Sequence, residues 1–178
     1  MKNQFFTLLI SIVCFSCATN PFTGKKTMAF MPNSQLLPMA FAEYDKFLSE
    51  NKVIKGTPDA EMITRVGQRI SVAAERWLDA NNHQGYLKDY KWEYNLVNDK
   101  SVNAWCMPGG KIVFYTGILP IAKNDAGIAA IMGHEVAHAL ADHGGQRMSI
   151  SLAQKGLSAV AIKATEKQPE EKRKAILT

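Results

Sequence analysis

His134-Glu135-Val136-Ala137-His138 sets two imidazoles four residues apart, with a carboxylate directly after the first. A helix turns about 100° per residue, so positions four apart lie nearly above one another on one face. Two imidazoles at that spacing can close on a single zinc ion, with Zn–N distances of about 2.0–2.1 Å. Glu135 is then placed to take a proton from a zinc-bound water rather than to bind the metal itself. Such water ionises near neutrality, at a pKa of about 7, and the metal can also polarise a scissile carbonyl. The motif therefore reads as a zinc hydrolase with one ion per chain, His134 and His138 as ligands and Glu135 as general base. The bland alternative is a half-buried structural helix that carries two histidines.

A catalytic zinc generally takes three protein ligands and leaves a fourth position to water. His143 follows His138 by five residues, a step that turns about 140° beyond a full rotation if the helix continues. On that geometry it faces away from the metal, and an outer role in orienting, capping or surface contacts is expected. Asp142, four residues after His138, stays on the ligand face and is a candidate to orient an imidazole N–H. Beyond it stand Glu166, Glu170 and Glu171, in a Lys-rich run of solvated character. Two ligands are thus clear and the third is not supplied.

The elements that must hold these residues have local signals. Asn124 caps the metal helix, Asp125 suits its positive end, and Ile128, Ile131, Met132, Val136, Ala139 and Leu140 supply an apolar surface. Gly144-Gly145 is expected to end that helix, with a further one from Met148 to about Lys163. Upstream, residues 90–97 alternate with period two and read as a strand. A turn at 98–100 leads to an extended run over 102–107, and Pro108-Gly109-Gly110 breaks it before a strand at 111–115. The last two strands are expected to form a hairpin. Two helices precede the sheet, one capped by Ser34 and running to about Glu50, the other capped by Thr57 with Pro58 in its first position and running to about Ala80. Helices, a small sheet and then the metal helix make an α+β arrangement.

The chain has 178 residues, 47% of them hydrophobic, which suits one domain with appendages. Its formal charge of +5 is modest and the basic residues form no aromatic-interleaved stripe, so nucleic-acid binding is not expected. Residues 1–16 read as a signal peptide: Lys2, an apolar run over 5–15, and then Ser16-Cys17. A small residue before Cys17 marks it as the lipidation site, with Cys14 the competing position behind a bulky Val13. Residues 17–33 would then be a lipidated tether and 34–178 the catalytic domain. After processing only Cys106 remains, as a soft metal ligand, a redox switch or a small core residue on a strand, the last preferred.

Several short motifs stand together: Cys17-Ala18-Thr19-Asn20-Pro21 with Thr23-Gly24-Lys25-Lys26, Val102-Asn103-Ala104 through Pro108-Gly109-Gly110, Thr116-Gly117-Ile118-Leu119, and Gly133 through His138 with Ala141-Asp142-His143. On these the chain resembles the HtpX-like zinc metallopeptidases, the gluzincin family that includes the CAAX prenyl endopeptidases, and within it the bacterial periplasmic lipoprotein branch. The resemblance implies a zincin-like fold, a mainly antiparallel sheet with HExxH on a central helix, and zinc held by His134 and His138 with Glu135 as base. It also implies that Asn103, Ala104, Trp105, Cys106, Met107, Pro108 and Gly109 bind substrate as an added β-strand. An unpaired edge offers backbone hydrogen bonds to any peptide, which favours unfolded or misfolded envelope proteins as substrates. The family's third ligand is a Glu in a downstream Glu-x-x-x-Asp motif. Glu170 followed by Lys174 does not match it, so the third ligand is expected beyond Thr178, in a chain that is either a fragment or a degenerate member. An inactive zinc-binding lipoprotein that holds unfolded chains on its edge strand is the alternative. The expected location is the cell envelope, lipid-anchored through Cys17 and facing the periplasm, with the outer membrane favoured over the inner.

Overall fold

The computed structural model describes residues 17–28, 31–151 and 153–154. The signal peptide expected over 1–16, and Glu166, Glu170 and Glu171, lie outside the described residues. In chain order the elements are β1 (Cys17–Thr19), β2 (Lys26–Met28), α1 (Asn33–Glu50), β3 (Val53–Ile54), α2 (Pro58–Ala80), β4 (Glu93–Val97), β5 (Ala104–Met107), β6 (Lys111–Tyr115), a 3-10 turn (Thr116–Ile118), α3 (Leu119–Ala122) and α4 (Asp125–Leu140). A further helix, α5, occupies residues 143–151. Among the described residues no helix is long and apolar enough to cross a membrane.

The sheet order is β3-β4-β6-β5. β3 runs antiparallel to β4 and β5 antiparallel to β6, while β4 and β6 pair in parallel. The expected hairpin is present, with Gly109 and Gly110 at φ 84° and 81°, a region that only glycine enters freely. Folding β6 back beside β4 leaves β5 at the edge. Alternation along β6 sorts the two sides of the sheet. Ile112 and Phe114, both fully buried, join Ile63 and Val66 of α2 and Ile128, Met132, Val136 and Leu140 of α4. Val113 points the other way, with Val97, to Tyr44 of α1. The sheet is thus layered between α1 on one face and α2 with α4 on the other.

Polar groups pin α1 to its face. The Tyr44 hydroxyl donates to the Ile112 carbonyl at 3.1 Å and accepts from Asn95 Nδ2 at 2.9 Å. Lys111, only 7% exposed, pairs with Glu93 at 2.9 Å and lies 5.1 Å from the Phe41 ring centroid. Burying that ammonium is tolerable because a carboxylate and two ring faces meet it.

Helix ends follow the sequence signals in two cases. Thr57 accepts from the Ala60 N–H and Asn124 from the Gly127 N–H, at 3.3 and 3.1 Å. Replacing Thr57 by Ala is expected to cost about 1 kcal/mol in a urea melt, with no change at the histidines. For α1 the expected cap fails: the cap position is Pro32, with no side-chain bond, and Ser34 lies inside the helix. The expected end of the metal helix at Gly144-Gly145 is also wrong. α4 stops at Leu140, Asp142 takes φ 56°, and α5 starts at 143 and runs through both glycines.

The stretch read as a tether is folded over residues 17–28. β1 and β2 form an antiparallel ribbon, and Asn20 is 4% exposed. Phe22 meets Trp77 of α2 edge-on at 5.2 Å.

Candidate metal centre

α4 carries the site on its exposed side while its opposite face is locked into the core. Ile128 and Met132 are fully buried six and two residues before His134, and Val136 and Leu140 continue the stripe. That burial fixes the rotation of the helix and turns His134 outward. His134 Nε2 and His138 Nε2 stand 3.0 Å apart. Two imidazole nitrogens this close must share a proton or a cation. Ligand nitrogens on one tetrahedral zinc would stand about 3.4 Å apart, given Zn–N of about 2.0–2.1 Å. The pair therefore fits as two ligands of a zinc ion. Among the described residues no group of three His, Cys, Asp or Glu side chains could complete it.

His143 lies where a continuing helix could not put it. The break at 141–142 swings the chain round, and His143 Nδ1 comes within 2.8 Å of His138 Nδ1. The expectation that it faces away assumed an unbroken helix. Because the contact uses the ring edge of His138 opposite its Nε2, His143 stands behind that imidazole and not at the ion. Asp142 has a different partner from the one expected. Its carboxylate accepts from the Gly145 N–H and so caps α5. Burial raises its pKa, against which the Gly145 bond and the neighbouring His143 lower it.

β5 lies against α4, so the edge strand passes alongside the motif. Cys106 of this strand is close enough to Glu135 for the two charges to interact. Burial pushes the Cys106 thiol far above its ordinary pKa, and Glu135 adds to the rise. The thiol stays protonated and faces the Met107 carbonyl at 3.4 Å, which suits a packed wall residue better than a thiolate ligand. Trp105 packs edge-on against Phe47 at 5.0 Å, and its indole N–H donates to the Tyr115 hydroxyl at 3.3 Å.

Trp105, Cys106, Met107 and Pro108 line a groove of about 660 Å³ whose other walls include Met39 and Phe47 of α1, and His138, Arg147 and Met148. Of the other residues expected to bind substrate, Ala104 and Gly109 are buried and Asn103 is exposed outside the groove lining. The sequence reading missed the α1 wall and the residues that hold the end of α4. The α1 residues stand on a helix whose sequence carries no chemical motif. The Asn20-Pro21-x-Thr23-Gly24 pattern was a usable turn signal, but nothing local says what it touches.

A HExxH helix packed across a small mixed sheet, with helices on both faces, defines a zincin-like peptidase domain. Residues 66–177 match the profile described as Peptidase family M48, which is more than half of the chain, and the chain belongs to that family. It is 35% identical over 107 residues to "Mitochondrial metalloendopeptidase OMA1" of Arabidopsis thaliana, covering 56% of this chain and 22% of that protein. Against "Metalloendopeptidase OMA1, mitochondrial" of Bos taurus the identity is 22% over 149 residues, covering 82% of this chain and 27% of the other. "Metalloprotease YcaL" of Escherichia coli is 30% identical over 98 residues, 55% of this chain and 36% of that protein. The matched stretches thus span between about a fifth and just over a third of these relatives' lengths.

Proposed function

We propose that this chain is the catalytic part of a zinc-dependent endopeptidase that hydrolyses peptide bonds of unfolded or misfolded polypeptides in the cell envelope. The observation that carries the reading is the 3.0 Å approach of His134 Nε2 and His138 Nε2 on a helix that the edge strand β5 flanks. When bound, zinc would supply Lewis acidity and bring water to the ionisation range of neutral pH. His134 and His138 would hold it through Nε2. His138 then has Nδ1–H to donate, and His143 Nδ1 is placed to accept it, which fixes one tautomer and one ring orientation. Glu135 takes the proton from the attacking water and delivers it to the leaving amine. The free side of β5 offers backbone partners to an extended peptide, and the apolar groove beside it takes side chains without demanding one sequence.

The envelope setting is part of the same proposal. It rests on Ser16-Cys17 after an apolar run and on the lipoprotein-like motif through Lys26, with lipid on Cys17 holding the domain to a membrane and outer membrane favoured. The third ligand is proposed to be a Glu beyond Thr178.

The protein extended to include the proposed third ligand should carry about one zinc by elemental analysis and cleave casein. A chelator should abolish cleavage and added zinc restore it. Stoichiometric zinc with no cleavage would favour the alternative of an inactive chain binder, and cleavage indifferent to chelation would remove zinc from the mechanism.

A further inference from the structure

The end of α4 is held from a distance. The last carbonyls of a helix have no partner within it and must find one elsewhere. Here the Leu140 carbonyl accepts from Asn20 Nδ2 at 2.8 Å and from the Tyr86 hydroxyl at 3.1 Å. The Ala139 carbonyl accepts from the Asp142 N–H at 3.1 Å and faces the Tyr90 hydroxyl at 3.5 Å. Burial raises the pKa of both phenols, so both stay protonated and able to donate.

Asn20 is itself held tightly. Its Oδ1 accepts from the N–H groups of Phe22 and Thr23 at 3.0 and 2.9 Å. Its own backbone exchanges bonds with Lys25 and Gly24 at 2.9 and 2.8 Å, closing the turn between β1 and β2. One buried amide therefore serves both sides: its oxygen organises the N-terminal ribbon and its nitrogen grips the metal helix. Leu140 is the last residue of α4, directly before the break that returns His143 to His138. The direction in which the chain leaves Leu140 sets whether the two Nδ1 atoms meet.

We propose that Asn20 is a positioning residue of the metal centre, coupling the N-terminal ribbon to the His138–His143 contact through the Leu140 carbonyl. This goes beyond the zinc reading above but rests on it for its effect on metal affinity. It also gives the ribbon a task besides linkage. Cys17, the proposed lipid site, opens the same ribbon, three residues before the amide that grips the metal helix.

Asn20→Asp separates the two sides of the amide. The carboxylate keeps the acceptors for Phe22 and Thr23 but sets an oxygen against the Leu140 carbonyl in place of a donor. Zinc affinity, measured by chelator competition, should fall about tenfold, at the lower end of what loss of an outer partner costs. The visible spectrum of the cobalt(II)-loaded protein should shift, and amide hydrogen exchange over residues 138–145 should accelerate. Thr57→Ala is the control for simple destabilisation and should move none of the three. Asn20→Asp with the parent's affinity, spectrum and exchange would overturn the proposal, as would equal changes in the Thr57 variant. If the parent binds no metal, the zinc reading fails separately, and exchange over 138–145 still decides the coupling.

Discussion

Glu135→Gln is expected to reduce casein cleavage by about 10²–10⁴-fold while leaving the zinc content unchanged. Glutamine has the shape of glutamate and keeps an oxygen that can accept a hydrogen bond, but it cannot take up a proton. The metal should stay because its proposed ligands in this chain are Nε2 of His134 and His138, which stand 3.0 Å apart, and Glu135 is not proposed to hold it. The side chain is half-buried beside Cys106, where a neutral amide is no harder to accommodate than a carboxylate. A coincident loss of zinc would make Glu135 a ligand or a structural group. Full activity in the variant would remove general-base catalysis by this residue.

The second large effect separates a ligand from its support. His138→Ala removes a proposed ligand nitrogen and should weaken zinc binding by at least about 100-fold, the upper end of what loss of an outer partner costs. His143→Ala removes only the group behind that ring, and the loss expected for an outer partner is about 10–100-fold. His143→Asn or Gln can restore an acceptor toward His138 Nδ1 and should recover part of the affinity, which no purely structural account of His143 predicts. Chelator competition on the three variants gives the ranking. If His143→Ala binds zinc as the parent does, the 2.8 Å contact between the two Nδ1 atoms has no role in holding the metal.

Local signals decided much of this fold. Thr57 and Asn124 cap their helices as read, because a cap is a bond between residues three apart and needs nothing distant. The β5–β6 hairpin was legible because two glycines permit the positive φ that its turn uses. Ser34 and Gly144-Gly145 misled for the converse reason. Each has the propensity to begin or end a helix, but Pro32 already starts α1 and the left-handed Asp142 already ends α4. The place of β5 at the sheet edge was expected from family resemblance and not from its own residues. Strand order depends on β6 returning beside β4, a pairing that no local pattern specifies.

By itself the sequence determined the chemistry of the centre: His134 and His138 on one helical face with Glu135 beside them, since the helical repeat alone brings residues four apart together. The same repeat turned His143 away, and tertiary structure reversed that. α4 ends at Leu140, whose carbonyl accepts from Asn20 and Tyr86, remote in sequence, while Asp142 takes a left-handed conformation and caps α5. Helical geometry therefore decided which atoms can face the metal. Long-range hydrogen bonds decided what stands behind them.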